Sequence, residues 1–88
     1  MKPKPGYVLR EAGGQYIIVP TGGASVNFNG MISMNKTGAF IWRALENGSG
    51  RETIVEALSS EFSIEKTVAA ADTDAFIKEL REAKLVDG

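Results

Sequence analysis

The spacing of the apolar residues changes once along this chain of 88 residues, at Asn35. Before Asn35, short runs of β-branched and aromatic residues alternate with turns that contain glycine and proline, which is typical of antiparallel strands. After it, apolar residues recur every three or four positions, as in helices that bury one face. This change predicts a single α+β domain over residues 1–88, with a small sheet in 7–34 and a winged-helix-like bundle of three helices in 35–88.

The first hairpin is the clearest feature of the predicted sheet. Residues 7–11 and 15–19 are rich in β-branched and aromatic side chains, and the residues Ala12-Gly13-Gly14 close a short turn between them. Pro20 is expected to end the pairing because proline has no N–H to donate to a strand ladder.

A third strand is predicted at residues 31–34, directly before the first helix. The segment that leads to it allows two interpretations. Residues 24–28 alternate small or apolar with polar side chains, and Asn29-Gly30 favours a tight turn, so they form either a short extra strand or an irregular loop. An extra strand there would cover the edge of the third strand.

Asn35 is expected to begin the first helix, because its side-chain oxygen can accept a hydrogen bond from a first-turn N–H. Asn47-Gly48 then supplies a left-handed stop. The only tryptophan of the chain lies within this helix and is predicted to anchor the core. The residues that share its stripe are Gly38, Ile41, Trp42 and Leu45.

Two more helices follow. Ser49 and Glu52 have the spacing of a capping box, which predicts a second helix over about residues 50–60. Its apolar stripe comprises Ile54, Val55, Leu58 and Phe62. Ser63 is predicted to cap the third and longest helix, whose row at i+4 spacing comprises Ile64, Val68, Asp72, Phe76 and Leu80.

Asp72 is the one charged residue in that row. We expect it either at the edge of the stripe or in a structural hydrogen bond, because an unpaired buried carboxylate is costly. Asp74 does not form a catalytic pair with it, since residues two apart on a helix do not face each other.

The composition excludes several classes of function. The sequence has no cysteine and no histidine, so disulfides, zinc thiolates, a cysteine nucleophile and a histidine base are all ruled out. No apolar run reaches membrane-spanning length, and the first five residues lead into no apolar signal region. These features predict a cytoplasmic protein that is not an enzyme and needs no metal or cofactor.

The charge distribution bears on nucleic-acid binding, because strands followed by three helices are also typical of winged-helix proteins that bind nucleic acid. Residues 61–88 carry four basic against seven acidic side chains, whereas residues 1–30 carry three against one. A winged-helix protein that binds nucleic acid should present lysine and arginine on its recognition helix. The acidic third helix therefore argues against nucleic-acid binding, although a winged-helix nucleic-acid-binding or regulatory module is kept as the alternative.

Three motifs resemble the PqqD-like proteins, which are named for pyrroloquinoline quinone biosynthesis. They are M-N-K-T-G-A-F-I-W at Met34 to Trp42, E-N-G at Glu46 to Gly48, and D-x-x-x-F-x-x-x-L at Asp72, Phe76 and Leu80. The resemblance extends from about Tyr7 to Val86. Such proteins are peptide-recognition elements in the biosynthesis of ribosomally made, modified peptides.

The resemblance implies a three-stranded antiparallel sheet on a three-helix bundle that performs no chemistry. It implies that the leader segment of a precursor peptide adds as a strand beside the third strand and is presented to a modifying enzyme, often a radical S-adenosylmethionine enzyme. The peptide-binding residues would be Met31, Ile32, Ser33, Met34, Val68, Ala71 and Ala75. The structural residues would be Asn35, Trp42, Asp72, Phe76 and Leu80.

Two positions depart from the family pattern. Lys84 stands where the family commonly has glycine, so the end of the third helix is expected to differ. The connection from Gly22 to Gly30 is longer than the usual turn. Because an exposed strand edge also permits exchange between copies, we expect a monomer or a strand-exchanged dimer, with neither nucleic acid nor membrane as a partner.

Overall fold

A computed structural model describes residues 2–21 and 32–86 of the chain. A three-stranded antiparallel sheet of order β1-β2-β3 is followed by three helices, which confirms the predicted α+β fold. The elements are β1 (Tyr7–Ala12), β2 (Gln15–Pro20), β3 (Ile32–Met34), α1 (Lys36–Glu46), α2 (Arg51–Phe62) and α3 (Lys66–Glu82). The possible strand at 24–28, its turn at Asn29-Gly30 and Met31 lie outside the described residues.

The hairpin of β1 and β2 forms as predicted, but each strand is one residue longer at its C-terminal end. Gly13 and Gly14 take positive φ angles of 59° and 82°, which glycine adopts without strain. Pro20 still pairs with Tyr7, and the N–H of Thr21 donates to the carbonyl of Gly6 at 2.6 Å. The missing proline N–H is tolerated because Pro20 is the last residue of its strand.

The core lies between the helices and one face of the sheet. Ile18 of β2 is fully buried on that face, and Leu9 of β1 and Ile32 of β3, its direct partners in the ladder, pack against the same core. Trp42 is fully buried at the centre, as the stripe on the first helix predicts. The other residues of that stripe, Gly38, Ile41 and Leu45, are buried with it.

The first helix begins and ends as the sequence predicts. Asn35 is the N-cap, and its Oδ1 accepts from the Gly38 N–H at 2.9 Å and from the Thr37 hydroxyl at 2.8 Å. At the other end, Gly48 takes the left-handed conformation at φ 82°. Its N–H donates to the carbonyl of Leu45, and this contact satisfies a carbonyl that the helix leaves open.

The predicted capping box at Ser49 and Glu52 is wrong. Gly50, with no side-chain hydrogen bond, is the N-cap of α2. The Ser49 N–H already donates to the carbonyl of Ala44 as part of the α1 terminus, so it is not available to Glu52. Glu52 instead accepts from Arg51 at 3.0 Å.

The predicted cap at Ser63 is also wrong. Ser63 ends α2 in the left-handed region, with φ 53° and ψ 46°, and α3 starts at Lys66 after the N-cap Glu65. The connection is instead fixed by Ser59, whose hydroxyl donates to the carbonyl of Ile64 at 2.5 Å. The second helix therefore ends two residues later than predicted, at Phe62.

The i+4 row predicted for α3 is buried only in its second half. Phe76 and Leu80 are buried, whereas Asp72 is exposed and Val68 is 46% exposed. A step of four residues overshoots one helical turn by about 40°, so a long i+4 row winds away from the core. The buried face consists of Ala69, Thr73, Phe76, Ile77 and Leu80.

The end of α3 is formed by Lys84, which takes the left-handed conformation that glycine favours. Its φ is 61°, and its N–H donates to the carbonyl of Arg81 while the Leu85 N–H reaches that of Leu80. Together these bonds form a Schellman motif. Beyond it, the Lys4 N–H donates to the carbonyl of Leu85 at 2.8 Å and joins the start of the chain to its end.

Candidate functional site

A groove of about 330 Å³ lies between β3 and α3, and we call it the β3–α3 groove. On the strand side it is lined by Ser33 and Met34. On the helix side it is lined by Asp72, Ala75 and Glu79, which are all exposed and lie on one stripe of α3. Its two walls are therefore a sheet edge and a helix face.

The floor of the groove is apolar and is made by Gly38, Ile41 and Phe76. Gly38 has a packing role, because a Cβ there would lie 3.0 Å from the Met34 Cβ and 3.2 Å from the Phe76 Cε1. Both distances are tighter than ordinary van der Waals contact. The missing side chain thus lets β3, α1 and α3 approach one another beneath the groove.

Polar residues of the strand-to-helix junction complete the lining. Asn35 and Thr37 both line the groove, and their mutual hydrogen bond belongs to the α1 cap. The residue that begins the helix therefore also forms part of the groove.

The β3 strand lies at the edge of the described sheet. Ile32, Ser33 and Met34 pair with Ile18, Ile17 and Tyr16 of β2, and within residues 2–21 and 32–86 no strand pairs with the opposite side of β3. An edge strand directs unpaired N–H and C=O groups outward, where an extended chain can meet them. The strand edge and the groove lie side by side.

The structure distributes the predicted binding residues unevenly. Ser33, Met34 and Ala75 line the groove, whereas Ile32 packs against the core and Met31 is outside the described residues. Val68 and Ala71 are exposed on the same stripe of α3, towards its N-terminus, and do not line the cavity. The groove therefore faces the middle of α3 and not its beginning.

Sequence reasoning missed several lining residues. The sequence predicts Gly38 and Ile41 as core residues of the first helix, and it assigns no role to Thr37 or Glu79. The row through Asp72 and Phe76 carried the available signal, but it was interpreted as packing. The structural hydrogen bond expected for Asp72 is not found among the described residues, so Asp72 lies at the edge of the stripe, as the other reading allowed.

Electrostatically, the groove is one-sided. Among the described residues, its lining includes the carboxylates of Asp72 and Glu79 and no lysine or arginine. Asp74, on another face of α3, is neutralised by Arg51, whose Nε and Nη2 donate to it at 2.6 and 2.8 Å. The hydrogen bonds from Arg51 lower the pKa of the Asp74 carboxyl from its ordinary value.

A second cavity, of about 360 Å³, lies on the other side of α1. Arg43 stacks over the Tyr16 ring there, with its Cζ 5.8 Å from the ring centroid, and Phe40 meets Phe62 edge to face at 5.6 Å. These aromatic contacts hold α1 against β2 and the end of α2, which assigns them a packing role.

Neither a metal centre nor a membrane span is found in the described part of the chain. No three side chains among its acidic residues cluster closely enough to hold a metal ion. Its helices also lack the combination of length and apolarity that crossing a bilayer requires.

Two solved structures have a similar fold. One is TbiB1 in complex with the TbiA(beta) leader peptide, with a TM-score of 0.78, 23% identity, and coverage of 100% of this chain and 96% of that chain. The other is lasso peptide synthetase B1 complexed with the leader peptide, with a TM-score of 0.72, 21% identity, and coverage of 92% and 89%. At such identities the likeness concerns the fold.

No curated protein matches the sequence significantly. The profile of the family described as Coenzyme PQQ synthesis protein D (PqqD) matches residues 8–86. That match spans the sheet, all three helices and both walls of the groove. The chain therefore belongs to the PqqD family.

Proposed function

We propose that this protein binds the leader segment of a ribosomally made precursor peptide in the β3–α3 groove and presents it to a modifying enzyme. The peptide adds as a strand to β3 and places alternate side chains against α3. The observation that carries this proposal is an edge strand beside an apolar-floored groove of about 330 Å³. The two structures of similar fold, which were both solved with leader peptides, support it.

The energetics require both parts of the site. About four backbone hydrogen bonds at roughly 0.5–1.5 kcal/mol each match only the lower end of the association cost of about 4–15 kcal/mol. Two or three apolar anchors at about 1.5–3 kcal/mol each are needed for micromolar binding. Met34 and Phe76 offer apolar surface to such anchors, whereas Ile41 beneath them is almost fully buried.

In this proposal the protein is an adaptor that performs no chemistry itself, and the modifying enzyme is a radical S-adenosylmethionine enzyme. The protein acts in the cytoplasm, where the precursor is synthesised. Nucleic-acid binding is disfavoured, because Asp72 and Glu79 would repel phosphates from the groove.

The test is a titration of isotope-labelled protein with leader peptides taken from short precursor genes beside its own. We expect amide shifts at Ile32, Ser33 and Met34 and along α3 from Val68 to Glu79. Shifts confined to the second cavity, or seen only with DNA, would contradict the proposal.

Two matched variants make the test specific. Ala75→Trp places an indole between the groove walls and should abolish binding while the fold is kept, because Ala75 is exposed. Ser60→Trp adds the same ring at an exposed position of α2, which lines no part of the groove, and should bind as the unaltered protein does.

A further inference from the structure

We infer that the β3–α3 groove selects peptide segments that carry lysine or arginine on both sides of a small or apolar residue. This inference rests on the proposed function and specifies the chemistry of its ligand. It is carried by charge complementarity between the groove and its occupant.

The two carboxylates of the groove have no partner among the residues that the structure describes. Neither Asp72 nor Glu79 makes a hydrogen bond or an ion pair with any residue in 2–21 or 32–86. Other exposed carboxylates do find cations: Asp74 binds Arg51 at 2.6 Å, and Glu56 lies 3.6 Å from Lys66. The lining of this groove therefore keeps two negative charges that no described residue balances.

The spacing of the carboxylates fits an extended guest. Asp72 and Glu79 are two helical turns apart, about 10 Å along the axis, and Ala75 lies between them. An extended chain turns the same face every second residue, at intervals of about 7 Å. Basic residues at positions i and i+4 of the guest would span roughly 13 Å, and their flexible stems would cover the difference. The residue at i+2 would then face Ala75.

The negative charge is a property of this groove and not of the whole surface. The second cavity, of similar volume, contains Lys36 and Arg43 together with Glu61. A basic peptide that is selected by charge alone would therefore bind the β3–α3 groove. The second cavity would not attract it in the same way.

The experiment is a selection of random peptides, displayed on messenger RNA, against the full-length protein. We expect lysine and arginine to be enriched over aspartate and glutamate at positions i and i+4 of the recovered peptides. Synthetic versions should lose affinity by up to about fivefold for each basic residue replaced by glutamine, and more at low salt.

Three variants complete the test. Asp72→Asn with Glu79→Gln should remove the basic preference, and Asp72→Lys with Glu79→Lys should reverse it towards acidic peptides. The control replaces Glu46 and Glu61, which are exposed and lie outside the groove, with glutamine and should keep the wild-type preference.

The outcomes separate the two proposals. If the recovered peptides depend on the groove, as judged by their loss with Ala75→Trp, but show no basic preference, the charge inference is overturned and the proposed function stands. If the wild-type protein shows the basic preference and the two double variants of Asp72 and Glu79 show it unchanged, the inference is again overturned. If no recovered peptide depends on the groove, both proposals fail.

Discussion

The inner and outer faces of α3 differ in their environment: the inner face is buried in the core and the outer face is exposed. The inner face buries Ala69, Thr73, Phe76, Ile77 and Leu80 against the other helices and the sheet. The outer face shows Val68, Ala71, Asp72, Ala75 and Glu79, which are exposed and make no contribution to the core cluster. In the proposed function, the inner face of α3 serves stability and the outer face serves peptide binding, so substitutions on the two faces should have separable effects.

The largest expected effect tests the inner face. Leu80→Ala should lower the free energy of unfolding by about 2–5 kcal/mol, because it leaves a cavity at a fully buried position. Urea unfolding followed by circular dichroism measures the loss. The matched variant on the outer face, Val68→Ala, should change stability by less than about 0.5 kcal/mol. Equal losses would show that the two faces are not separable.

Gly38→Ala should affect both stability and peptide affinity, since Gly38 lies where the inner face of α3 and the floor of the groove meet. The added methyl would press on Met34 and Phe76, and overpacking of this kind costs about 1–3 kcal/mol. The better helix propensity of alanine returns about 1 kcal/mol, so a small net destabilisation is expected. Peptide affinity should fall as the floor shifts.

Unfolding and titration of the same sample check this prediction. Ala44→Gly, at a half-buried position of α1 that does not line the groove, serves as its control. It should lose stability and keep affinity. A Gly38→Ala protein with unaltered affinity would place the guest elsewhere.

Lys84→Gly should raise stability by up to about 1 kcal/mol, because a side chain in the left-handed conformation carries a cost of that order. The gain should appear as a higher urea midpoint with no change in peptide binding. Lys78→Gly, within α3, should instead destabilise the protein. A loss of stability in Lys84→Gly would mean that the lysine side chain makes a compensating contact.

The smallest effect concerns the ion pair on the side of α3 away from the groove. Since Arg51 lowers the folded-state pKa of Asp74, the pair contributes stability above the unfolded carboxyl pKa of about 3.9 and loses it as the pH falls through the lower folded value. Both side chains are about half exposed, so solvent weakens the interaction.

Arg51→Gln should therefore raise the pKa of Asp74 towards its ordinary value, as measured by carboxyl carbon NMR between pH 2 and 6. Arg81→Gln, which removes an exposed arginine of α3 that makes no ion pair with Asp74, should leave that pKa unchanged. An unchanged pKa in Arg51→Gln would show that the pair does not persist in solution.

The sequence predicted a local feature of the fold correctly where its residue pattern is compatible with only one structure. The hairpin, the Asn35 cap and the stripe around Trp42 each depend on residues that lie close together in the sequence. The predicted caps at Ser49 and Ser63 are wrong because a local motif does not show whether its residues already belong to the end of the preceding helix. In both cases the end of the preceding helix decided, through the Ser49 N–H and through the left-handed Ser63.

The sequence by itself determined the order of the elements and the residues that must be buried, because apolar period and turn chemistry act within a few residues. Only the tertiary structure decided which stripe of α3 remains outside, and that Gly38, Asp72 and Glu79 line one groove beside β3. The packing partners of a helix decide which of its faces is buried. A groove forms between segments that are distant in the sequence, so no local pattern predicts it.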